Sequence, residues 1–181
     1  HADLMLVKMH LQRQEFDQAL LSIDQLEKKQ PNNPLAHKLR ADALIGKKDF
    51  ADARRALEQA QTSQPIFFPA VLGLARLDVL EKKPDAARKR FASILAQDPK
   101  NPEAMSALAD LAAFEKNDKD YVEWLEKAGE VDKKAIQPRA RLIHYHLKRG
   151  DKEKAVKVAS EFSEANPESL MALEMLASTH M

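Results

Sequence analysis

Two histidines near residue 145 come closest, among the residues of this chain, to the spacing of a metal-ligand pair. The chain has 181 residues and contains His144 and His146 but no cysteine, so thiolate ligands, disulfide bonds and a cysteine nucleophile are excluded. Residues two apart on an α-helix point to nearly opposite faces, so these imidazoles would not meet on one ion. We therefore predict no metal site.

The sequence contains few of the motifs that are typical of enzymes. The sequence lacks a glycine-rich phosphate-binding loop, and its serines lack a histidine and an acid at a recognised spacing. Arg149-Gly150-Asp151 spells an integrin-recognition tripeptide, but a glycine followed by an aspartate also ends one helix and caps the next. We favour the helix turn for these residues. The sequence predicts a protein that is not an enzyme and needs no cofactor.

The amino-acid composition favours helices, and it argues against a nucleic-acid-binding protein and against a membrane-spanning one. Ala and Leu together number 51, whereas Val, Ile and Thr number 15 and Gly only 4. Lys and Arg number 29 against 28 Asp and Glu, so the net charge gives no support to a nucleic-acid partner. Apolar stretches such as residues 107–114 are short and interrupted by Asp110, which argues against a membrane span. We expect an all-α chain.

A period of 34 residues runs through the whole sequence. Prolines mark it at positions 31, 65, 99 and 167, with a lysine at 133. Within each period, two apolar stripes of helical spacing are separated by a polar turn, so the unit is a helical hairpin. Two columns of mostly small residues keep the period: Ala19, Ala53, Ala87, Tyr121, Ala155; and Val7, Ala41, Ala75, Ala109, Ile143, Ala177. Two larger apolar columns are Leu6, Arg40, Leu74, Leu108, Leu142, Leu176; and Ile23, Leu57, Phe91, Leu125, Ala159.

These columns predict which residues are buried and where helices begin. Small residues are needed where two helices cross closely, so we expect burial of Ala41, Ala75, Ala109, Ala53 and Ala87, with Leu74, Leu108 and Leu142 in the core. His10 and His146 share one column facing the partner helix and are expected to be buried or half-buried. Asparagines before prolines, Asn33, Asn101 and Asn166, predict first-helix N-caps, and Asp49 and Asp151 predict second-helix N-caps.

The 34-residue period and these columns resemble the tetratricopeptide repeat (TPR). The unit that matches best contains Leu74, Ala75, Ala87, Phe91 and Pro99. The resemblance implies one right-handed superhelix, an α-solenoid of about five hairpins plus one extra helix, with units at about 1–33, 34–67, 68–101, 102–135, 136–169 and a partial one at 170–181. The chain departs from the pattern at Arg40, which replaces a leucine, and at Tyr121, which replaces a small residue. Tyr121 suggests that the fourth unit packs its second helix differently.

Three stretches carry a narrower resemblance. Residues 72–77, 132–139 and 142–150 resemble the TPR lipoprotein encoded with bacterial PEP-CTERM/exosortase systems. That resemblance implies a role linked to exopolysaccharide production or export. It also implies a periplasm-facing or membrane-anchored protein whose acylated cysteine lies outside this sequence.

The TPR resemblance implies a binding groove lined by the first helix of each hairpin. We expect a protein or peptide partner there and predict these groove residues: Lys38, Asp42, Arg76, Asp110, Phe114, Arg141, His144 and Lys148. Charges alternate in one groove column, so a ladder of salt bridges between adjacent repeats is the alternative. Some TPR domains grip a C-terminal carboxylate with five set residues, of which this chain keeps only Lys38, so that mode is disfavoured.

Basic residues recur at the turn between the two helices of a unit: Lys47, Lys48, Lys82, Lys83, Lys116, Lys148 and Arg149. Their functional interpretation is a basic rim that binds an anionic polysaccharide. The alternative is that cations simply favour helix C-termini.

We therefore predict a non-catalytic interaction scaffold. The alternatives are a regulatory or substrate-positioning segment of a larger enzyme and a self-assembling module. Apolar residues on the first and last helices, such as Leu6 and Leu170, predict a fragment of a longer array that in isolation either frays at residues 170–181 or stacks end to end with another copy. The alternative is a dedicated solvating cap at the end of the array.

Overall fold

The helices follow the predicted hairpin pattern. The structure, a computed structural model, describes residues 2–179, and within that range it contains eleven α-helices and no β-strand. In chain order they are α1 (Ala2–Gln12), α2 (Phe16–Lys29), α3 (Pro34–Gly46), α4 (Phe50–Ser63), α5 (Phe68–Leu80), α6 (Pro84–Gln97), α7 (Pro102–Phe114), α8 (Asp118–Val131), α9 (Ile136–Lys148), α10 (Lys152–Ala165) and α11 (Leu170–Ser178). The all-α fold of five helical pairs and one further helix is confirmed.

The chain forms two compact units, residues 1–90 and 91–181, whose boundary falls within α6. The first unit has an apolar core of alanine and leucine in which Ala41, Ala53, Leu57 and Leu74 pack together. In the second unit, Ala109, Leu125 and Leu142 form one cluster, and a neighbouring cluster centres on α9 and α10.

The small-residue columns are buried as expected. Ala19, Ala41, Ala53 and Ala87 are fully buried in the first unit, and Ala75 is buried as well. Ala109 and Ala155, in the second unit, are fully buried. The predicted core residues are buried too, Leu74 in the first unit and Leu108 and Leu142 in the second. The last column member, Ala177, is exposed.

The turn inside each helical pair repeats one backbone conformation. Positive φ angles occur between the first and second helix at every 34th residue: Gln14, Lys48, Lys82, Lys116 and Gly150. The next residue then donates its backbone N–H to the end of the first helix, as from Asp49 to Leu44 O at 2.8 Å. Glycine adopts this left-handed conformation without steric cost. Arg149-Gly150-Asp151 is therefore a helix stop, as the sequence favours.

Most of the predicted caps are present. Asn33 Oδ1 accepts a hydrogen bond from Leu35 N at 3.0 Å, Asn101 Oδ1 accepts one from Ala104 N at 2.9 Å, and Asp49 Oδ1 accepts one from Asp52 N at 3.1 Å. Asp151 occupies the N-cap position of α10, but its side chain makes no cap hydrogen bond.

The predicted cap at Asn166 is wrong. The next helix begins three residues beyond Pro167, at Leu170, and its N-cap is Ser169, whose Oγ accepts from Ala172 N at 3.3 Å. Asn166 instead ends α10, where its side-chain amide donates to Phe162 O at 3.0 Å. An Asn-Pro pair suits a turn as well as a helix start, which explains the error.

Arg40, at a leucine position, makes polar contacts between two successive helical pairs. Its guanidinium donates to Glu27 at 3.0 and 2.6 Å and to Asp24 at 2.6 Å, so α3 is tied to α2. The hydrogen bonds to Glu27 are the largest influence on Arg40, and with those to Asp24 they raise its pKa above its usual range.

A buried carboxylate joins three helices of the first unit. Asp78, on α5, is only 3% exposed. Its two oxygens accept hydrogen bonds from Arg54 Nη2 on α4 at 2.9 Å and from Arg90 Nε on α6 at 2.6 Å. Arg54 also donates to Glu81 at 2.9 Å. The two arginines supply the opposite charge that a buried carboxylate requires.

We predict that Ala87→Leu destabilises the protein. Ala87 is fully buried, so the larger side chain must displace its neighbours, at a cost of about 1 to 3 kcal/mol. Thermal unfolding followed by circular dichroism measures the effect. Ala92→Leu, at an exposed site on the same helix, is the matched control. An unchanged midpoint for Ala87→Leu would show that the repeat register is wrong.

Asp78→Asn keeps the shape of the side chain and removes its charge. We expect it to reduce the free energy of unfolding by about 3 kcal/mol, because two partly buried arginines lose their shared partner. Urea denaturation gives this value, and Asp85→Asn, at an exposed position of α6, is the control with little expected change. Equal stability of both variants would contradict a stabilising role for the buried cluster.

Candidate functional site

Three predicted groove residues lie on first helices of the first unit. Lys38 and Asp42 form an ion pair within α3, with Lys38 Nζ donating to Asp42 Oδ2 at 2.6 Å, and both are half-buried. Arg76 lies on α5, which packs against α3, and it is exposed. Among residues 2–179, the structure shows no ion pair for Arg76.

Arg141 connects the first helices of adjacent repeats in the second unit. Arg141, on α9, donates from Nη2 to Asp110 Oδ1 at 2.6 Å and from Nη1 to Ser106 Oγ at 3.3 Å. Asp110 and Ser106 both lie on α7. The alternative of a salt bridge between adjacent repeats therefore applies at this place.

The other predicted residues of the second unit are exposed on the same two helices. Phe114 follows Asp110 by one helical turn on α7 and is 66% exposed. His144 and Lys148 are exposed on α9. We call the surface formed by Asp110, Phe114, Arg141, His144 and Lys148 the α7/α9 face. The structure shows contact between Asp110 and Arg141, and it places the remaining three at the surface.

A stack of cations and aromatic rings supports the α7/α9 face. The Arg141 guanidinium lies 5.3 Å from the centre of the Tyr121 ring, and Tyr121 packs against Tyr145 at 5.4 Å between ring centres. Arg149 lies 5.5 Å from the Tyr145 ring and donates to Asp118 Oδ2 at 2.5 Å. Such contacts contribute about 0.5 to 1 kcal/mol each at partly exposed sites.

Tyr121 thus has a structural reason to replace a small residue. It fills the space beneath Arg141 and Tyr145, and the sequence signals it only as a departure from an alanine column. Burial is the largest influence on Arg141 and lowers its pKa, but the interactions with Tyr121 and with Asp110 outweigh burial. The pKa of Arg141 is therefore raised, and its guanidinium stays charged.

The two histidines of α9 lie in different environments. His144 is exposed and His146 is buried, as expected for residues two apart on a helix. His10 is half-buried, and its Nδ1 lies 2.6 Å from Glu15 Oε2. Within residues 2–179 the structure contains no cluster of three side chains suited to hold a metal ion.

Several residues of the predicted basic rim already have partners. Lys47 bonds to Asp17, Lys83 Nζ lies 2.9 Å from Glu81 Oε2, and Arg149 bonds to Asp118. Lys48, Lys82, Lys116 and Lys148 are exposed. The rim therefore carries less free positive charge than its sequence suggests.

Comparison with known families identifies the repeat. Two tetratricopeptide repeat models match the chain, one over residues 4–66 and the other over residues 44–111, which together cover more than half of it. The chain belongs to the tetratricopeptide repeat family. No curated protein matches its sequence at a significant level. Within residues 2–179, none of the helices is long and apolar enough to cross a bilayer.

Solved structures share the fold at low sequence identity. Pseudomonas aeruginosa PilF superposes with a TM-score of 0.65 at 15% identity, covering 98% of this chain and 87% of that one. The thermophilic TPR protein TTC0263 from Thermus thermophilus gives 0.62 at 16% identity, covering 99% and 97%. YrrB, described as a TPR protein with an unusual peptide-binding site, gives 0.52 at 15% identity, covering 93% and 87%. At these identities the likeness establishes the fold alone.

We predict that Tyr121→Ala, which restores the usual small residue, destabilises the second unit by about 2 kcal/mol. The loss reflects the ring contacts with Arg141 and Tyr145 and the cavity left beneath them. Tyr121→Phe keeps the ring and is the control, with a smaller expected loss. Chemical denaturation measures both. A Tyr121→Ala protein as stable as the unmodified one would show that the stack does not support α9.

Proposed function

We propose that this protein is a non-catalytic scaffold that binds a protein or peptide on the first-helix surface of its repeats. The TPR fold generally mediates protein–protein interactions. The observation that carries the proposal for this chain is Phe114: a large aromatic ring, 66% exposed, one helical turn from an ordered ion pair. Aromatic residues and arginine are enriched among the residues that dominate binding energy.

The α7/α9 face suits a binding role because one of its cations, Arg141, is already held in place by its neighbours. Arg141 is held by Asp110, Ser106 and the Tyr121 ring. A partner that contacts this face would order few additional side chains, which reduces the entropic cost of binding. Repeat arrays provide extended surfaces for such contacts. The peptide-binding site of YrrB, a protein of the same fold, supports the same use here.

Random peptides provide a test that does not depend on the identity of the natural partner. A phage-displayed random 12-residue peptide library is selected on the full 181-residue chain, and the recovered peptides are measured by fluorescence anisotropy. We expect Phe114→Ala and Arg141→Glu each to weaken binding by about tenfold or more. Arg76→Glu should weaken peptides that contact the first unit, and the effects of charge reversal should shrink at high salt.

Control variants separate a specific site from general loss of structure. Phe50→Ala removes an exposed phenylalanine from α4, and Arg55→Glu reverses an exposed charge on the same second helix. Both should leave peptide binding unchanged. Peptides that bind the Phe114→Ala, Arg141→Glu and Arg76→Glu proteins as tightly as the unmodified chain would place the binding site elsewhere.

We propose the bacterial envelope as the setting of this interaction. The support is the resemblance of residues 72–77, 132–139 and 142–150 to the TPR lipoprotein of PEP-CTERM/exosortase systems. In that setting the partner belongs to an exopolysaccharide assembly, and the exposed rim lysines offer an anionic polysaccharide a secondary contact. Recovery of exopolysaccharide-assembly proteins with the full-length protein in crosslinked pull-downs supports this setting, and their absence argues against it.

A further inference from the structure

One repeat position places polar groups between the two helices of a pair. In the last turn of the first helices, this position is occupied by His10, Leu44, Asp78, Ala112 and His146, each 34 residues apart. Its polar members in the first unit have partners. His10 Nδ1 lies 2.6 Å from Glu15 Oε2, and Asp78 is held by Arg54 and Arg90.

His146, in the second unit, lacks such a partner. It is 6% exposed, and among residues 2–179 its Nδ1 is the buried side-chain polar atom without a hydrogen bond. The carboxylate of Asp151 lies 4.0 Å from that nitrogen, too far for a hydrogen bond. The Asp151 side chain also makes no cap hydrogen bond to α10, whereas Asp49 and Asn117 do so at the same repeat position.

His146 lines a groove of about 1030 Å³ formed by α8, α9 and α10. The charged groups that line the same groove are Asp118, Lys119, Glu123, Glu126 and Glu130 on α8; Arg139, Arg149 and Asp151 on α9 and the following turn; and Lys154, Lys157 and Glu161 on α10. Two of these cations are hydrogen-bonded to groups other than His146. Arg149 binds Asp118, and Arg139 donates to three backbone carbonyls, including Gly129 O at 2.6 Å.

These surroundings disfavour a charged imidazole. Burial is the largest influence and lowers the pKa of His146 below its ordinary value of 6.5, and the positive charge of Lys154 lowers it further. Asp151 and Glu126 oppose this change without outweighing it. Because the folded-state pKa is depressed, this histidine favours folding above about pH 6.5, and that contribution is lost as the pH falls through the folded pKa.

We propose that His146 is a protonation switch in the α9–α10 hairpin: its neutral ring keeps the two helices together, and protonation loosens them. A protonated ring carries an N–H at Nδ1 that needs an acceptor. The Asp151 carboxylate, 4.0 Å from that nitrogen, makes no hydrogen bond to it, in contrast to Glu15, whose carboxylate lies 2.6 Å from His10 Nδ1. Separation of α9 and α10 would hydrate the charged ring, and it would also widen the groove that His146 lines.

Hydrogen exchange on the full 181-residue chain tests the switch. We compare amide protection factors, which are corrected for the intrinsic effect of pH, at pH 7.5 and pH 5.0. Protection of residues 152–165 should fall by about tenfold for each pH unit between 6.5 and the folded pKa, and by no more than about thirtyfold at pH 5.0. Residues 34–63 should keep their protection. The His146 ring, followed by NMR, should titrate with a midpoint below 6.5.

Two leucine variants separate this histidine from general acid sensitivity. His146→Leu places the residue found at position 44 in the same repeat position, and it should abolish the pH-dependent loss of protection in α10. His10→Leu, the matched control, should retain the loss. Should His146→Leu fail to fold, the unmodified chain decides: loss of α10 protection must follow the same pH midpoint as the titration of the His146 ring. Equal loss of protection with and without His146, or a ring midpoint at or above 6.5, would overturn the proposal.

Discussion

Close approach of two helices is the constraint on which each hairpin depends. The helices of a pair pack around alanines such as Ala53 and Ala87, which are fully buried and add only a methyl group to the crossing. A tight left-handed turn then reverses the chain at a fixed distance from that crossing, at Lys48 and Lys82. The number of residues between the helix crossing and the turn fixes which residues of the two helices face each other. The larger apolar residues therefore fill the space beside the crossing.

Departures from the alanine and leucine columns are compensated locally by polar partners. Arg40 occupies a leucine position and reaches two acids on α2, and Tyr121 occupies an alanine position and packs under Arg141. Asp78 is the most demanding case, because a buried carboxylate is costly unless it is paired, and two arginines surround it. Each departure therefore distinguishes one hairpin from the next in an otherwise repetitive chain.

Periodicity predicts the fold well, because burial of a column depends only on spacing along the helix. The helix pairs, the buried alanines and most caps follow from it. Contacts between long side chains do not follow, because Arg54, Asp78 and Arg90 are far apart in sequence and meet only once three helices have packed. The Asn166 cap fails for a related reason: the residues after Pro167 form a turn that local pattern does not distinguish from a helix start.

The carboxylates predicted to line the binding groove are already paired with cations, which bears on the partner proposed above. The two predicted groove carboxylates are each neutralised by a neighbouring cation, Asp42 by Lys38 and Asp110 by Arg141. A basic partner must therefore break an existing ion pair to use either carboxylate, which offsets much of the gain. Arg76 needs no such exchange. At the proposed site on α7 and α9, a basic segment would compete with the Asp110–Arg141 pair, whereas an apolar side chain that packs on Phe114 would leave that pair intact.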